Sequence, residues 1–352
     1  MTVSIAAHPA LRLFAELLAV PAPSGREEQI AQVIRDKLVA WGYTHCTDGA
    51  GNVIVHLEGR RPGAPLCCFA AHMDEIGFVV TRIEADGSLR VDRSGGLYPW
   101  KVGEGPVEIL SDEKTVTGIL SMGSGHVATP NQAVTWADVR VLTGLSPEEL
   151  KGAGIRPGST GVPLREGRGP LILGNGDDPL VAAWTMDDRM GVVALLRLLE
   201  EIKRTGLKPY HPTLIAFTVH EEGGGHGAKS LAQREKPEAF IAIDGCPMPP
   251  GVPLSLDGRP GIWSKDRLTH YDQRLVRAFC QAAREAGTEL QPVVYEGTAS
   301  DAGLVCSVGG AQRVVCLGHV RENSHGYEVA RLSVFDNLLR TLAQFVATWE
   351  GE

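Results

Sequence analysis

Five short stretches carry side chains whose types and spacing could do chemistry. The first is Ala71-His72-Met73-Asp74-Glu75-Ile76-Gly77. Histidine two residues before aspartate lets the imidazole bind a metal through one ring nitrogen. The carboxylate can then hold the other nitrogen or the nearby backbone. A strand-end histidine can equally be structural. The second is Met186-Asp187-Asp188-Arg189-Met190-Gly191. The helix dipole accounts for one aspartate at a helix start, and a carboxylate bridging two cations would account for the other. The third is His220-Glu221-Glu222-Gly223-Gly224-Gly225-His226-Gly227. Successive strand residues face opposite ways. One glutamate can therefore ligate metal while its neighbour reaches a metal-held water; a solvated turn is the alternative. The fourth is Asp244, followed by Gly245-Cys246-Pro247, and the fifth is His325 within Arg321-Glu322-Asn323-Ser324-His325-Gly326-Tyr327-Glu328.

Each stretch alone is ordinary, but the set has a chemical meaning. Two histidines, two acidic ligands, one shareable aspartate and a spare glutamate are what two zinc-type ions about 3.5–4 Å apart require. Paired cations pull the pKa of a bridging water towards neutrality. A nearby glutamate can then take its proton and pass it to a leaving amine. Mixed nitrogen and oxygen donors suit zinc, cobalt or manganese alike.

The elements that must position these residues are legible in the apolar periodicity. Helices are expected over 8–20 and 25–41, the second with Ser24 and Glu27 as a capping box. Strands are expected at 52–57, 66–71, 214–219, 240–243, 292–295 and 313–317. Further helices are expected from Asp188 through Leu199, over 271–286 and over 333–349. Helices alternating with buried-type strands predict an α/β sandwich on a mixed, largely parallel sheet. The chemical residues then fall at the carboxyl ends of strands, where open α/β sheets place their sites. Residues 78–173 differ. Short β-type runs there are split by Gly and Pro, Asp86-Gly87 marks a hairpin, and the one helix candidate follows Ser146-Pro147-Glu148. Residues 1–77 and 174–352 are therefore expected to form one domain, interrupted by a small β-rich insert over 78–173.

Composition agrees and excludes alternatives. At 352 residues the chain is long enough for about two domains. A formal charge of −8 argues against nucleic acid as the main partner. The seven cysteines are odd in number and contain no CxxC, so neither a disulfide framework nor a cysteine zinc site is expected. The N-terminus lacks a basic region before its apolar stretch, which Arg12 and Glu16 interrupt, so a signal peptide is not expected. No apolar run approaches 18 residues, so no membrane span is expected, and a cytoplasmic location is.

The order H-x-D-E-I-G, D-D-R-x-G, E-E-G…G-A, a strand-end aspartate and a late histidine resembles the dinuclear aminopeptidases of the glutamyl-aminopeptidase/cellulase M type, which include the tetrahedral (TET) aminopeptidases. The resemblance covers nearly the whole chain, insert included. It implies a zinc-exopeptidase-like three-layer α/β/α sandwich with a PDZ-like dimerisation insert. It implies that His72 and Asp244 hold one divalent ion, that Glu222 and His325 hold the other, and that Asp187 bridges both. Glu221 would be the general base and acid, Asp74 would orient His72, and the Asp187-Asp188 peptide bond would be cis. The implied substrates are short peptides losing N-terminal residues, and the implied assembly is a homo-oligomer, from dimer to dodecamer.

The chain also departs from the family pattern. His220-Glu221-Glu222-Gly223 replaces Q-E-E-V, the family's G-G-T-D-A appears as Gly297-Thr298-Ala299-Ser300-Asp301-Ala302-Gly303, and Ser324-His325-Gly326 replaces H-S-P. The ligands survive these changes while the substrate walls do not clearly survive. The preferred N-terminal residue stays open, as do the roles of Thr298, Asp301 and His226. His126, His226 and His319 are read as structural. The competing reading is a dinuclear amidohydrolase acting on an acylated amino acid or another amide. A glycosidase would need an acid/base carboxyl pair rather than paired cations. The Gly223–Gly225 loop lacks the register of a nucleotide-binding turn.

Overall fold

The structure is a computed structural model and describes residues 3–124 and 133–351. Its centre is an eight-stranded sheet in the order His45–Thr47, Val53–Leu57, Thr213–Thr218, Cys67–His72, Ala239–Ile243, Arg313–Gly318, Gly261–Lys265, Gln291–Val294. The four strands from Thr213–Thr218 to Arg313–Gly318 run parallel. Antiparallel neighbours flank them on both sides. Parallel strands covered on both faces read as unbroken apolar runs, and Cys67–His72 and Thr213–Thr218 are buried at every position. Alternation sends adjacent side chains to opposite faces. Cys67, Phe69 and Ala71 therefore join one core, with residues of helices Pro9–Leu18, Met186–Thr205, Gln273–Glu285 and Ser333–Thr348. Cys68 and Ala70 join a second core with helices His226–Glu235 and Asp301–Ser307.

A second, five-stranded sheet was not apparent in the sequence: Leu171–Leu173, Leu180–Trp184, Tyr327–Arg331, Val320–Glu322, Cys246–Pro247. Its strands are two to five residues long, too short to show a period. The chain between Cys67–His72 and Leu171–Leu173 is β-rich, as expected, and its form is a closed six-stranded barrel. The barrel strands run from Gly77–Ile83 to Thr160–Pro163 around Phe78, Val80, Val107 and Ile109. The closure was not predicted. The helix after Ser146 is present as Pro147–Gly152, with a reciprocal Ser146–Glu149 capping box.

The expected capping box at Ser24 and Glu27 is not formed. The helix runs Glu28–Ala40 without a side-chain cap. Ser24 Oγ instead donates to Asp74 Oδ2 at 2.5 Å, and Glu27 Oε1 accepts the His220 N–H at 3.1 Å. Capping chemistry has been diverted to brace the strand-end loops.

Three segments meet at a fully buried ion cluster. Glu75, just past the H-x-D stretch, pairs with Arg168 from the chain leaving the barrel and with Arg189 of the Met186–Thr205 helix. Its carboxylate also accepts from Ala22 N at 2.8 Å and Trp184 Nε1 at 3.2 Å. Removing one partner of such a group strands the other charges in low dielectric, at a cost of about 3–5 kcal/mol. Glu75→Gln should destabilise the protein by roughly that amount, measured as a fall in the urea midpoint at constant m. A change under about 1 kcal/mol, the worth of a surface pair, would show that the cluster does not hold this junction.

Candidate active site

The carboxyl ends of the parallel strands deliver the chemical residues to one place. His72 ends its strand, Asp244 follows Ala239–Ile243, and Glu221 and Glu222 follow Thr213–Thr218 through a turn in which His220 has φ +58°. The turn is closed by Gly225 N–H donating to His220 O at 2.7 Å. Asp187 comes from the second sheet, after Leu180–Trp184. Residues 187 and 188 depart from helical geometry, and the peptide bond between them is cis.

Asp187 lies at the middle. Its Oδ1 is 3.1 Å from His72 Nε2, and its Oδ2 is 3.7 Å from His325 Nε2. Glu222 Oε1 is 3.6 Å from the same His325 nitrogen. Two triads result, His72–Asp187–Asp244 and Asp187–Glu222–His325, each with donor atoms within 4.8 Å of one another. They share Asp187. Asp188 does something else: its Oδ1 accepts the Gly191 N–H at 3.0 Å, as an acid at a helix start does. Glu221 stands outside both triads and lines the same cavity of about 360 Å³, together with Glu222, Asp244, Thr298, Arg267 and Arg321.

Asp74 braces more than the sequence suggested. Its backbone carbonyl is 3.1 Å from His72 Nδ1, with the carboxylate at 3.5 Å. The carboxylate also accepts the Glu221 and Glu222 N–H groups at 2.9 and 3.1 Å. One side chain therefore touches His72 and holds the backbone of both glutamates.

Electrostatics explain what such a site needs. Burial, then the neighbouring carboxylates Asp301, Glu222 and Asp244, pushes Glu221 well above its ordinary range, despite the opposing His72. Burial, then Asp187, pushes Asp244 up to about 7. Burial alone would raise Asp187 too, but Arg321 and His72 outweigh it and hold that carboxyl well below its usual value. His72 is lowered by burial yet driven well upward by its bonds to Asp187 and Asp74. Crowded buried carboxylates of this kind are relieved by bound cations. The donor set of imidazole nitrogens and carboxylate oxygens fits borderline divalent ions.

Two contributors were not assigned roles from sequence. Arg321 is buried and donates to Asp187 Oδ2 at 2.5 Å. Glu328 is fully buried and accepts the backbone N–H of both Asp187 and His325 at 3.0 Å, with Arg321 Nε 3.3 Å away. A glutamate on a short strand just after the late histidine was the available signal. Away from the triads, Arg313 sits near Glu238 and Asp272, and Lys265 donates to the Asp266 carbonyl. Asp301 accepts from Thr218 Oγ1 at 2.7 Å, and exposed His226 meets the His220 ring edge-on. His319 is buried with Nε2 3.3 Å from Arg321 Nη1, while His126 lies outside the described residues.

Imidazoles and carboxylates gathered at the carboxyl edge of a parallel sheet are the makings of a metal-dependent hydrolase. Comparison with known proteins makes the class specific. Residues 51–340 match the model for M42 glutamyl aminopeptidase, and the chain belongs to that family of metal-dependent peptidases. The glutamyl aminopeptidase of Lactococcus lactis is 30% identical over 239 residues, an alignment that spans 66% of this chain and 65% of that protein. A TET aminopeptidase from the archaeon Thaumarchaeota archaeon SCGC AB-539-E09 superposes with TM-score 0.88 at 22% identity, covering 97% of each chain. PhTET1-12s, solved as a dodecamer, superposes with TM-score 0.83 at 25% identity over 95% of this chain and 98% of that one.

The raised carboxyls have a thermodynamic consequence. A group whose folded pKa lies above its unfolded value contributes stability below the unfolded pKa and loses it as pH rises through the folded one. Asp244 and Glu328, at about 7, and Asp301, at about 6, all have that sign. Through these carboxyls, metal-free protein should lose stability between about pH 4 and 7, read as a falling urea midpoint. A rising midpoint would contradict the raised carboxyls.

Proposed function

We propose that the chain is an aminopeptidase that removes N-terminal residues from short peptides, using two divalent ions of zinc, cobalt or manganese type. The observation that carries this reading is Asp187, with one carboxylate oxygen towards His72 and the other towards His325. In this reading His72, Asp187 and Asp244 hold one ion, and Asp187, Glu222 and His325 hold the other. When bound, such a pair supplies a water acidified towards neutral pH and an electrophile for the scissile carbonyl.

The remaining work falls to this chain's side chains. Glu221 faces the cavity outside both triads, and its raised pKa suits a group that takes a proton from water and hands it to the departing amine. Asp74 keeps Glu221 and Glu222 in register through their backbone N–H groups. Arg321 fixes Asp187 from the side away from His72's nitrogen, since it bonds Oδ2 while His72 meets Oδ1. A cavity of about 360 Å³ is at the small end of ligand pockets, which favours short substrates. The aminopeptidase names of the relatives point the same way, and the dodecamer of PhTET1-12s supports a homo-oligomer. We place residues 1–77 and 174–352 in the catalytic domain and 78–173 in the insert, in a cytoplasmic protein. Among the described residues, no helix is long and apolar enough to cross a membrane.

The reading is tested on aminoacyl-anilides with the protein as purified, after chelation, and after metal return. Turnover should vanish on chelation and come back with metal. Absence of both metal and turnover would overturn the proposal, and turnover confined to N-acylated substrates would redirect it to another amide. Glu221→Gln should keep its metal content and lose about 10²–10⁴-fold in kcat. Parallel loss of metal would make Glu221 a ligand instead. His325→Ala should weaken metal binding, measured by equilibrium dialysis.

A further inference from the structure

We infer that the barrel insert is a working part of the metal centre: its Gly95-Gly96 turn aims His325 and so sets how tightly the Asp187–Glu222–His325 triad holds its ion. The inference rests on the proposed reading of that triad as an ion site.

A histidine that ligates through one nitrogen needs the other one held, because that bond sets the ring's tautomer and direction. The two histidines of the site are held by different parts of the chain. His72 Nδ1 meets the carbonyl of Asp74, two residues along its own loop. His325 directs Nε2 at Asp187 and Glu222, and the opposite edge of its ring, Nδ1 and Cε1, packs against the backbone of Gly96. Gly96 lies in the insert, between the barrel strand Leu89–Ser94 and the short helix Pro99–Val102.

The approach is close enough to require glycine at both positions. A Cβ on Gly96 would stand 2.5 Å from His325 Nδ1 and 2.6 Å from its Cε1. A Cβ on Gly95, where φ is +76°, would stand 3.0 Å from Glu222 Oε2. The turn thus lies against one donor with each glycine. The next residue anchors it. Leu97 is fully buried in a small core with Ile76 and Trp184, which precede and follow the insert in the chain. Its carbonyl accepts the Trp136 Nε1–H at 3.1 Å, which ties the turn to a further segment of the insert. Lys101 packs at 3.4 Å from where a Cβ on Gly326 would lie, beside His325. Seating the barrel and aiming the imidazole are therefore one structural event.

The test is titration of metal-free protein with Co²⁺, followed by calorimetry and visible absorption. The wild type should bind two ions. Gly96→Ala should bind one ion normally and the other about 10–100-fold more weakly, the usual effect of disturbing the outer contacts that orient a ligand. Gly152→Ala, elsewhere in the insert and with open space for its Cβ, should leave both affinities unchanged. Unaltered binding of both ions by Gly96→Ala would overturn the inference, as would equal selective loss in Gly152→Ala. If Gly96→Ala does not fold, Leu97→Ala decides, since it slackens the turn's anchor without adding bulk beside His325. Selective loss of one ion supports the inference, and unchanged binding refutes it. Failure of the wild type to take up two ions is a separate result, which refutes the reading of the site itself.

Discussion

Carboxylates Asp74, Asp187, Glu221, Glu222 and Asp244 converge at the carboxyl edge of four parallel strands, and the cost of confining that charge governs the surrounding structure. Unpaired ionised groups in low dielectric cost several kcal/mol each. Burial alone would neutralise them, and the upward shifts of Asp244 and Glu221 express that pressure. Asp187 escapes it because a guanidinium and an imidazole reach its two oxygens, and Asp74 because His72, Ser24 and the Glu221 N–H bond it. A divalent pair would relieve the others in the same way. The formal charge of −8 accordingly overstates the acidity of the surface.

The neighbouring residues can be understood as supports for this one arrangement. Glu328 holds two backbone N–H groups of the site, at Asp187 and His325. Asp74 does the same for Glu221 and Glu222. Ser24 and Glu27, which could have capped a helix, hold Asp74 and His220 instead. Local stability is given up at a helix start and at strained backbone positions such as His220 and His325, both with positive φ. Such positions persist only where the surrounding contacts over-determine them.

The insert enters the same system from outside the main sheet. Glu75, Arg168 and Arg189 bind its root to the helix that follows Asp187, while Leu97 and Trp184 seal the seam nearby. The buried ion cluster and the small apolar core adjoin, because Trp184 belongs to the core and donates to Glu75 of the cluster. The barrel's position is therefore coupled to the backbone that carries the ligands.

Much of this was legible in the sequence because it rests on local rules. Buried parallel strands must be apolar throughout, so 66–71, 214–219, 240–243 and 313–317 were visible to within about a residue of the observed bounds. A strand-end acid or histidine needs a reason, so His72, Asp187, Glu221, Glu222, Asp244 and His325 stood out, and the resemblance sorted them into roles. The short second sheet, the closure of the barrel, and the parts played by Arg321, Glu328 and Gly96 were not legible. Each depends on contacts between residues far apart in the chain, and strands of two to five residues or single polar side chains carry no periodic signal. The sequence by itself determined which groups could donate to a metal and which strands would carry them. The tertiary structure decided how they are aimed, because a ring nitrogen or a carboxylate oxygen is oriented by whatever distant backbone comes within hydrogen-bond reach, and only the folded chain brings Gly96 to His325.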